Sequence, residues 1–208
     1  MFTQFLHIPW GLIFLLFIGF LAYREKLPGF LNSLGMGRNM FLFMALLLLA
    51  GSFFSFPAFF LRQNIYINLG GLISMVFAVY FLRTLHTEGR VRSLLACILI
   101  LALTFATTSG VLWRMEEIFP PFYYLLPLFL TLIALFVTRD AVGSVAALIL
   151  GVWLSDVLSI IFFGSLQAAE VGGLISLNTW LVSALFVFIF TVLHEAVQNK
   201  RLFKGTSA

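Results

Sequence analysis

Seven apolar segments dominate this sequence and leave only short polar connections between them. They cover residues 5–23, 40–60, 65–82, 93–113, 120–137, 141–163 and 172–193. A helix needs about 20 apolar residues to cross roughly 30 Å of hydrocarbon, so each segment is a predicted transmembrane helix. The chain is 62% hydrophobic and 10% charged, whereas soluble domains are about a quarter charged. We therefore expect an all-α, polytopic integral membrane bundle of seven transmembrane helices, with residues 1–208 forming one transmembrane domain.

The basic residues are distributed unevenly between the two sides of these segments. Ten of the twelve Lys and Arg residues fall in the connections 24–39, 83–92 and 138–140 and in the C-terminal tail. Only Arg62 and Arg114 fall on the other side. Short loops rich in Lys and Arg remain in the cytoplasm, so the asymmetry predicts an N-out/C-in orientation in the cytoplasmic membrane. Basic residues at span ends meet anionic head groups, which makes the lipid bilayer the expected partner and argues against nucleic acid.

The sixth segment carries a stripe of small residues that recur at every fourth position. The stripe consists of Gly143, Ala147, Gly151, Ser155 and Ser159. Small residues allow helix backbones to approach closely within a membrane. Shorter stripes occur in the third segment (Gly70, Ser74, Ala78) and the fourth (Ala102, Ala106, Gly110). We expect these three segments to be central, and the Phe-rich first and second segments to face lipid over more of their surface.

Asp156 is the one acidic residue placed well inside a predicted span. An intramembrane acid usually faces protein or a water-filled cavity. Other polar residues fall at a similar depth, and the candidate polar pocket around Asp156 consists of Asn68, Thr107, Thr108, Asn178 and Thr179. With Glu116, Glu117 and Glu170 in the outer loops, such a pocket would suit a cation or a protonatable group. In the alternative interpretation, hydroxyl groups satisfy Asp156 and the residue holds helices together.

The pentapeptide Gly-Gly-Leu-Ile-Ser occurs twice, at Gly70–Ser74 and at Gly172–Ser176. Both copies open a predicted span that runs from the outside to the inside. One interpretation is a repeat in which spans 1–3 correspond to spans 5–7 and the fourth helix links them, as in some small permeases. Chance similarity in a chain rich in these residues is the other interpretation.

Patterns typical of enzymes are absent. His194-Glu195 lacks a second His at the spacing of a zinc-protease helix, and Gly164-Ser165 does not form a Gly-x-Ser-x-Gly nucleophile elbow. The seventh segment has no Lys for a retinal Schiff base, and Cys97 has no second cysteine with which to form an internal disulfide. We predict that the protein is not an enzyme and uses neither a metal nor a cofactor.

The layout resembles the YphA-like family, membrane proteins of spore-forming bacteria. The residues that carry the resemblance are Ile67-Asn68-Leu69 and Tyr80-Phe81-Leu82 in the third segment, the Pro121–Asp140 stretch, the leucine-rich sixth segment and the exit at His194-Glu195. The resemblance covers most of the chain. It implies a multi-pass protein of the bacterial cytoplasmic membrane and transfers no catalytic residue.

Two functional hypotheses follow. The first is a non-enzymatic accessory or scaffold subunit that binds other membrane proteins, or a second copy of itself, through the small-residue stripe. The second is a small permease for a cation or small solute, with Asp156 as its binding or proton-coupling residue.

Overall fold

A computed structural model of the protein describes residues 9–60, 63–108, 122–163 and 170–205. Within these ranges the chain is mostly helical, as predicted, with eight helices and three short strands. The helices are α1 (Trp10–Tyr23), α2 (Pro28–Ser33), α3 (Arg38–Gly51), α4 (Leu69–Thr84), α5 (Thr87–Thr108), α6 (Phe122–Thr138), α7 (Ala141–Phe163) and α8 (Leu174–Gly205). The strands are β1 (Ser55–Phe60), β2 (Gln63–Asn68) and β3 (Glu170–Val171).

Three helices in the described ranges are long and apolar enough to cross a membrane. These are the stretches Thr87–Thr107 in α5, Ala141–Phe162 in α7 and Leu174–His194 in α8. Four further apolar helices are shorter, namely α1, α3, α4 and the Leu125–Thr138 part of α6. A helix of 14 residues, such as α1 or α3, rises only about 21 Å. The three long helices are consistent with a location in a membrane.

The prediction of two helices over 40–60 and 65–82 was wrong between residues 52 and 68. Helix α3 ends at Gly51, and the chain then forms an antiparallel hairpin of β1 and β2 in which Ser55 pairs with Asn68 and Phe60 with Gln63. Pro57 cannot donate a backbone hydrogen bond inside a helix, and it lies on the edge strand, where proline is tolerated. Parallel pairing of β2 with the two residues of β3 completes a three-stranded sheet.

The bundle has two chemically different ends. One end holds the connections that carry Arg24, Lys26, Arg38, Arg83 and Arg139, and we call it the basic end. The start of α7 meets the start of α5 there, where a Cβ atom on Gly143 would lie 2.5 Å from Ser93 Oγ. The three strands lie at the opposite end, called here the hairpin end.

Helix α7 is the centre of the bundle. Nearly all of its first twelve residues are buried, and the helix packs against α4, α5, α6 and α8. The outward faces of α4 and α5 are exposed at Val76, Leu95 and Ile98. The third, fourth and sixth segments, which form α4, α5 and α7, were expected to be central. This is correct only for α7, because α4 and α5 each pack one face against α7 and expose the other. Helices α1 and α3 also expose large apolar side chains, such as Phe17 and Phe43.

The loop between α1 and α3 closes an apolar cavity at the basic end. Helix α2 and its flanking residues bury Phe30, Leu34 and Met36, and Phe30 makes an edge-to-face contact with Phe188 of α8 at 4.6 Å between ring centroids. The cavity has a volume of about 80 Å³, and its lining includes Met44, Phe81 and Trp180. The loop thus packs into the bundle through its apolar residues.

Candidate functional site

Asp156 lies on α7 toward the hairpin end, where α8 begins. The backbone N–H of Gly172 donates to Asp156 Oδ2 at 2.8 Å, and the hydroxyl of Ser176 donates to Oδ1 at 2.8 Å. Gly172 lies in the turn that leads from β3 into α8, and Ser176 lies in the first turn of α8. The N-terminus of a helix attracts negative charge, so the start of α8 stabilises a carboxylate at this position. Asp156 therefore joins α7 to the start of α8.

Asn68 makes a second junction at the start of α4. Its Oδ1 accepts hydrogen bonds from the N–H groups of Gly70 at 2.9 Å and Gly71 at 3.3 Å, which makes Asn68 the N-cap of the helix. Its Nδ2 donates to Ser52 O at 3.1 Å and Ser55 Oγ at 3.2 Å. This buried amide thus ties the end of α3 and the hairpin to the start of α4.

Strand β3 connects these two junctions. Glu170 Oε1 accepts from Ser55 Oγ at 2.5 Å and from Asn68 Nδ2 at 3.4 Å. Two residues later, Gly172 bonds to Asp156. We call the whole set the polar cluster, and its members are Ser52, Ser55, Asn68, Asp156, Glu170, Gly172 and Ser176. The polar cluster brings together the ends or starts of α3, α4 and α8 with the side of α7.

Glycine makes the close approach between α4 and α8 feasible. A Cβ atom on Gly71 would lie 2.6 Å from Gly172 Cα, so the two backbones are in direct contact. Gly172 also has a φ of +64°, a conformation that residues with a Cβ atom adopt rarely. The two Gly-Gly-Leu-Ile-Ser copies therefore meet, but they differ locally. The first pair of glycines lies inside α4, whereas the second pair precedes α8.

Of the five predicted pocket residues whose side chains the structure describes, it brings two together. Asp156 and Asn68 belong to the polar cluster, linked through β3. Asn178 bonds to a different helix: its Oδ1 accepts the N–H of Gly11 at 2.6 Å, which fixes the start of α1 against α8. Thr179 and Thr107 donate to carbonyl groups of their own helices, at 2.9 Å and 2.6 Å. The side chain of Thr108 lies outside the described residues, as do Glu116 and Glu117 of the expected negative mouth.

The small-residue stripe faces α5 of the same chain. A Cβ atom on Gly151 would lie 2.5 Å from Ile100 Cγ2 and 3.0 Å from the carbonyl oxygen of Cys97. Ala147 and Ser155 are buried, and Ser159 is half-buried. Because α5 covers this surface, the stripe is not free to bind another membrane protein, and that part of the scaffold hypothesis needs correction. On α5 the contact face holds Ser93, Cys97 and Ile100, whereas Ala102 of the predicted stripe is exposed.

Sequence reasoning missed the roles of Ser52, Ser55, Glu170 and Ser176. A usable signal was Asn68 followed by Leu-Gly-Gly, because Asn is a favoured N-cap residue and a cap at residue 68 starts the helix at Leu69. That start would have separated the hairpin from α4. The pairing of Asp156 with Gly172 and Ser176, which follow it by 16 and 20 residues, has no such local signal.

The chemistry available to the polar cluster is hydrogen bonding between segments. In the described ranges, no group of three or more His, Cys, Asp or Glu side chains is arranged to hold a metal ion.

Comparison with known proteins adds no relative: no protein-family model, no curated protein and no solved structure matches the chain.

Proposed function

We propose that this chain is a multi-pass protein of the bacterial cytoplasmic membrane that acts as a non-enzymatic accessory or scaffold subunit. In the proposed arrangement seven helices cross the membrane (α1, α3, α4, α5, α6, α7 and α8), with the N-terminus outside and the C-terminus inside. The basic end then faces the cytoplasm and the hairpin end faces outward. The resemblance to the YphA-like family supports the same location.

Two features of the bundle support this placement. The three long apolar helices include the central α7 and the adjacent α5 and α8. Large apolar side chains are exposed on α1, α3 and α5, for example Leu16, Leu46 and Leu99, and a bilayer would cover such a surface. Since α5 already occupies the small-residue stripe, we place partner contacts on these outer faces.

The observation that carries the accessory role is the bonding of Asp156. Both carboxylate oxygens accept hydrogen bonds that hold β3 and α8 against α7. Asn68 likewise joins α3, α4 and the hairpin through hydrogen bonds to Ser52, Gly70 and Ser55. These polar groups therefore serve the assembly of the bundle, whereas a permease would need its acid free to exchange partners with a solute.

The test compares Asp156→Asn with Asp156→Ala. An Asn side chain can still accept from the Gly172 N–H and can donate to Ser176 Oγ, so we expect the folded protein and its partners to be retained. Ala leaves the buried Gly172 N–H unsatisfied, which costs about 1–3 kcal/mol of unfolding free energy. Thr179→Val is the matched control, because Thr179 bonds only within its own helix.

The measurement is native mass spectrometry of protein released gently from its own membrane, combined with thermal unfolding. A co-released membrane protein or a defined homo-oligomer that survives Asp156→Asn supports the proposal. A stoichiometric small molecule that disappears in Asp156→Asn, with folding unchanged, would overturn it in favour of a permease for a cation or small solute.

A further inference from the structure

A groove runs along the outer surface between α1 and α3, and it starts near the basic end of the bundle. Its volume is about 340 Å³, and its lining is apolar except for the hydroxyl of Tyr23. The residues that line it are Leu15, Leu16, Gly19, Phe20, Tyr23, Leu42, Ala45, Leu46 and Leu49. Leu16, Phe20, Tyr23 and Leu46 are all exposed, so the groove opens away from the interior of the bundle.

Gly19 leaves the groove open. A Cβ atom built on Gly19 would have no atom within 4 Å, although the residue itself is buried and lies in the middle of α1. Glycine inside a helix is destabilising by roughly 0.5–1 kcal/mol relative to Ala, and no close backbone contact requires it here. The open space beside Gly19 is therefore available to a molecule outside the chain.

The dimensions of the groove match one leaflet. From Leu15 to Tyr23 the axis of α1 rises about 12 Å, against roughly 15 Å for half of the hydrocarbon core. On α3 the lining residues run from Leu42 to Leu49, starting one turn after Arg38. The groove thus follows the leaflet from near its middle to the level of the basic residues.

Positive charge collects where the groove ends. Arg24 follows Tyr23 directly, Lys26 comes two residues later, and both are exposed. Arg38 opens α3 and forms an ion pair with Glu25, so the three cations of this connection face a single acid. Basic residues at a membrane surface attract anionic lipids by about 1 kcal/mol each.

We propose that this groove binds one acyl chain of an anionic glycerophospholipid, with the phosphate against Arg24 and Lys26. The inference rests on the proposed membrane placement and goes beyond the accessory role. The apolar lining takes the chain, and the basic residues select the charge of the head group. A zwitterionic lipid would use the same lining and gain less from the two cations.

The experiment removes endogenous lipid from the intact protein and supplies equal amounts of phosphatidylglycerol and phosphatidylcholine. Native mass spectrometry then counts the lipid that remains bound. We expect one tightly bound phosphatidylglycerol in the unaltered protein. Gly19→Leu places a side chain in the groove at a position where a Cβ atom meets no atom within 4 Å. It should lower this occupancy by roughly tenfold, since several buried methylene contacts with the lipid are lost.

Two further variants separate the chain from the head group. The double substitution Arg24→Gln and Lys26→Gln should keep the bound lipid but abolish the preference for phosphatidylglycerol. Gly37→Leu is the matched control, because a Cβ atom there also meets no atom within 4 Å but Gly37 does not line the groove. It should leave lipid binding unchanged.

Unchanged phosphatidylglycerol binding in a folded Gly19→Leu protein would overturn the inference. So would loss of a dimer or of a partner protein in Gly19→Leu with lipid unaffected, because the groove would then hold a helix. Failure of the membrane placement itself is distinguishable, since the unaltered protein would then be released from membranes by an alkaline carbonate wash.

Discussion

At the scale of single residues, the polar side chains near the helix ends satisfy backbone groups that the helices leave unpaired. Asn68 caps the start of α4, and the Arg90 guanidinium caps its end by donating to the carbonyl groups of Leu82, Arg83 and Leu85, each at 2.9 Å. The terminal N–H and C=O groups of a helix have no partner within it. Arg90 therefore adds to the positive charge of the basic end and also stabilises α4.

Asp140 performs the same task for α7. Its Oδ1 accepts the N–H of Gly143 at 2.5 Å, and its backbone oxygen accepts the hydroxyl of Ser144 at 2.7 Å. Burial raises the pKa of Asp140, while the Gly143 hydrogen bond and the charge of Arg92 act in the opposite direction. A raised pKa means that the folded protein binds this proton more tightly than the unfolded chain does. This group's contribution to stability is therefore greatest at low pH and falls as pH rises from the unfolded pKa through the folded one.

We predict that Asp140→Asn and Asp140→Ala behave differently. Asn can still accept from Gly143 and carries no charge, so the variant should match or exceed the unaltered protein at pH 7 and lose any advantage near pH 4. Ala removes the cap and should lower the unfolding free energy by about 1 kcal/mol at both pH values. Thermal unfolding in detergent at the two pH values measures both effects. A lower midpoint for Asn than for Ala at pH 7 would contradict the prediction.

At the scale of elements, the contact between α5 and α7 depends on the absence of side-chain atoms. Gly143 and Gly151 let Ser93, Cys97 and Ile100 reach the backbone of α7. Close approach of backbones is a principal source of helix association in lipid, where the hydrophobic effect does not drive helices together. Helices α5 and α7 run in the same direction, and α6, which lies between them in the sequence, runs in the opposite direction.

A pair of Gly→Ala substitutions tests this contact. Gly151→Ala places a methyl group 2.5 Å from Ile100 Cγ2, and overpacking of this kind costs about 1–3 kcal/mol. Gly19→Ala meets no atom within 4 Å and should stabilise α1 by about 0.5–1 kcal/mol. Melting temperatures in the same detergent should shift in opposite directions. Equal shifts for the two variants would show that α5 does not pack tightly on Gly151.

The hairpin illustrates why the element boundaries at 52–68 were hard to predict. Apolar residues continue from α3 into β1, so composition alone does not mark the end of the helix. Ile65 and Ile67 alternate with Asn64 and Tyr66, which is a strand pattern, but the run is only six residues long. Its pairing with β3, about a hundred residues later in the chain, supplies the context that the local pattern lacks.

At the scale of the whole molecule, the separation of charge between the two ends sets the proposed orientation. The connections at the basic end carry most of the Lys and Arg residues, and α8 extends to Gly205 with Lys200, Arg201 and Lys204 on its last turns. A helix of 32 residues is about 48 Å long, so it reaches beyond a bilayer core of roughly 30 Å. The proposed arrangement places this extension in the cytoplasm.

Cysteine labelling in intact cells tests the orientation. Cys97 is the sole cysteine of the chain and is buried, so Cys97→Ser provides a background free of thiols. Pro57→Cys lies exposed at the hairpin end and should react with a membrane-impermeant maleimide added outside. Asn32→Cys lies exposed at the basic end and should react only after the cells are opened. The reverse pattern would overturn the N-out/C-in proposal.

The helical class and the bounds of α7 follow from the amino-acid sequence, because a long, uninterrupted apolar run with small residues at every fourth position is a local property. It also determined which connections are basic, since charge is read directly from composition. Three outcomes required the folded bundle: α5 covers the stripe, Asn178 accepts a hydrogen bond from the start of α1, and Asp156 bonds to Gly172. The first outcome depends on which helix packs on α7, and the other two depend on backbone N–H groups near the starts of distant helices. No local pattern in the sequence reports where those segments meet.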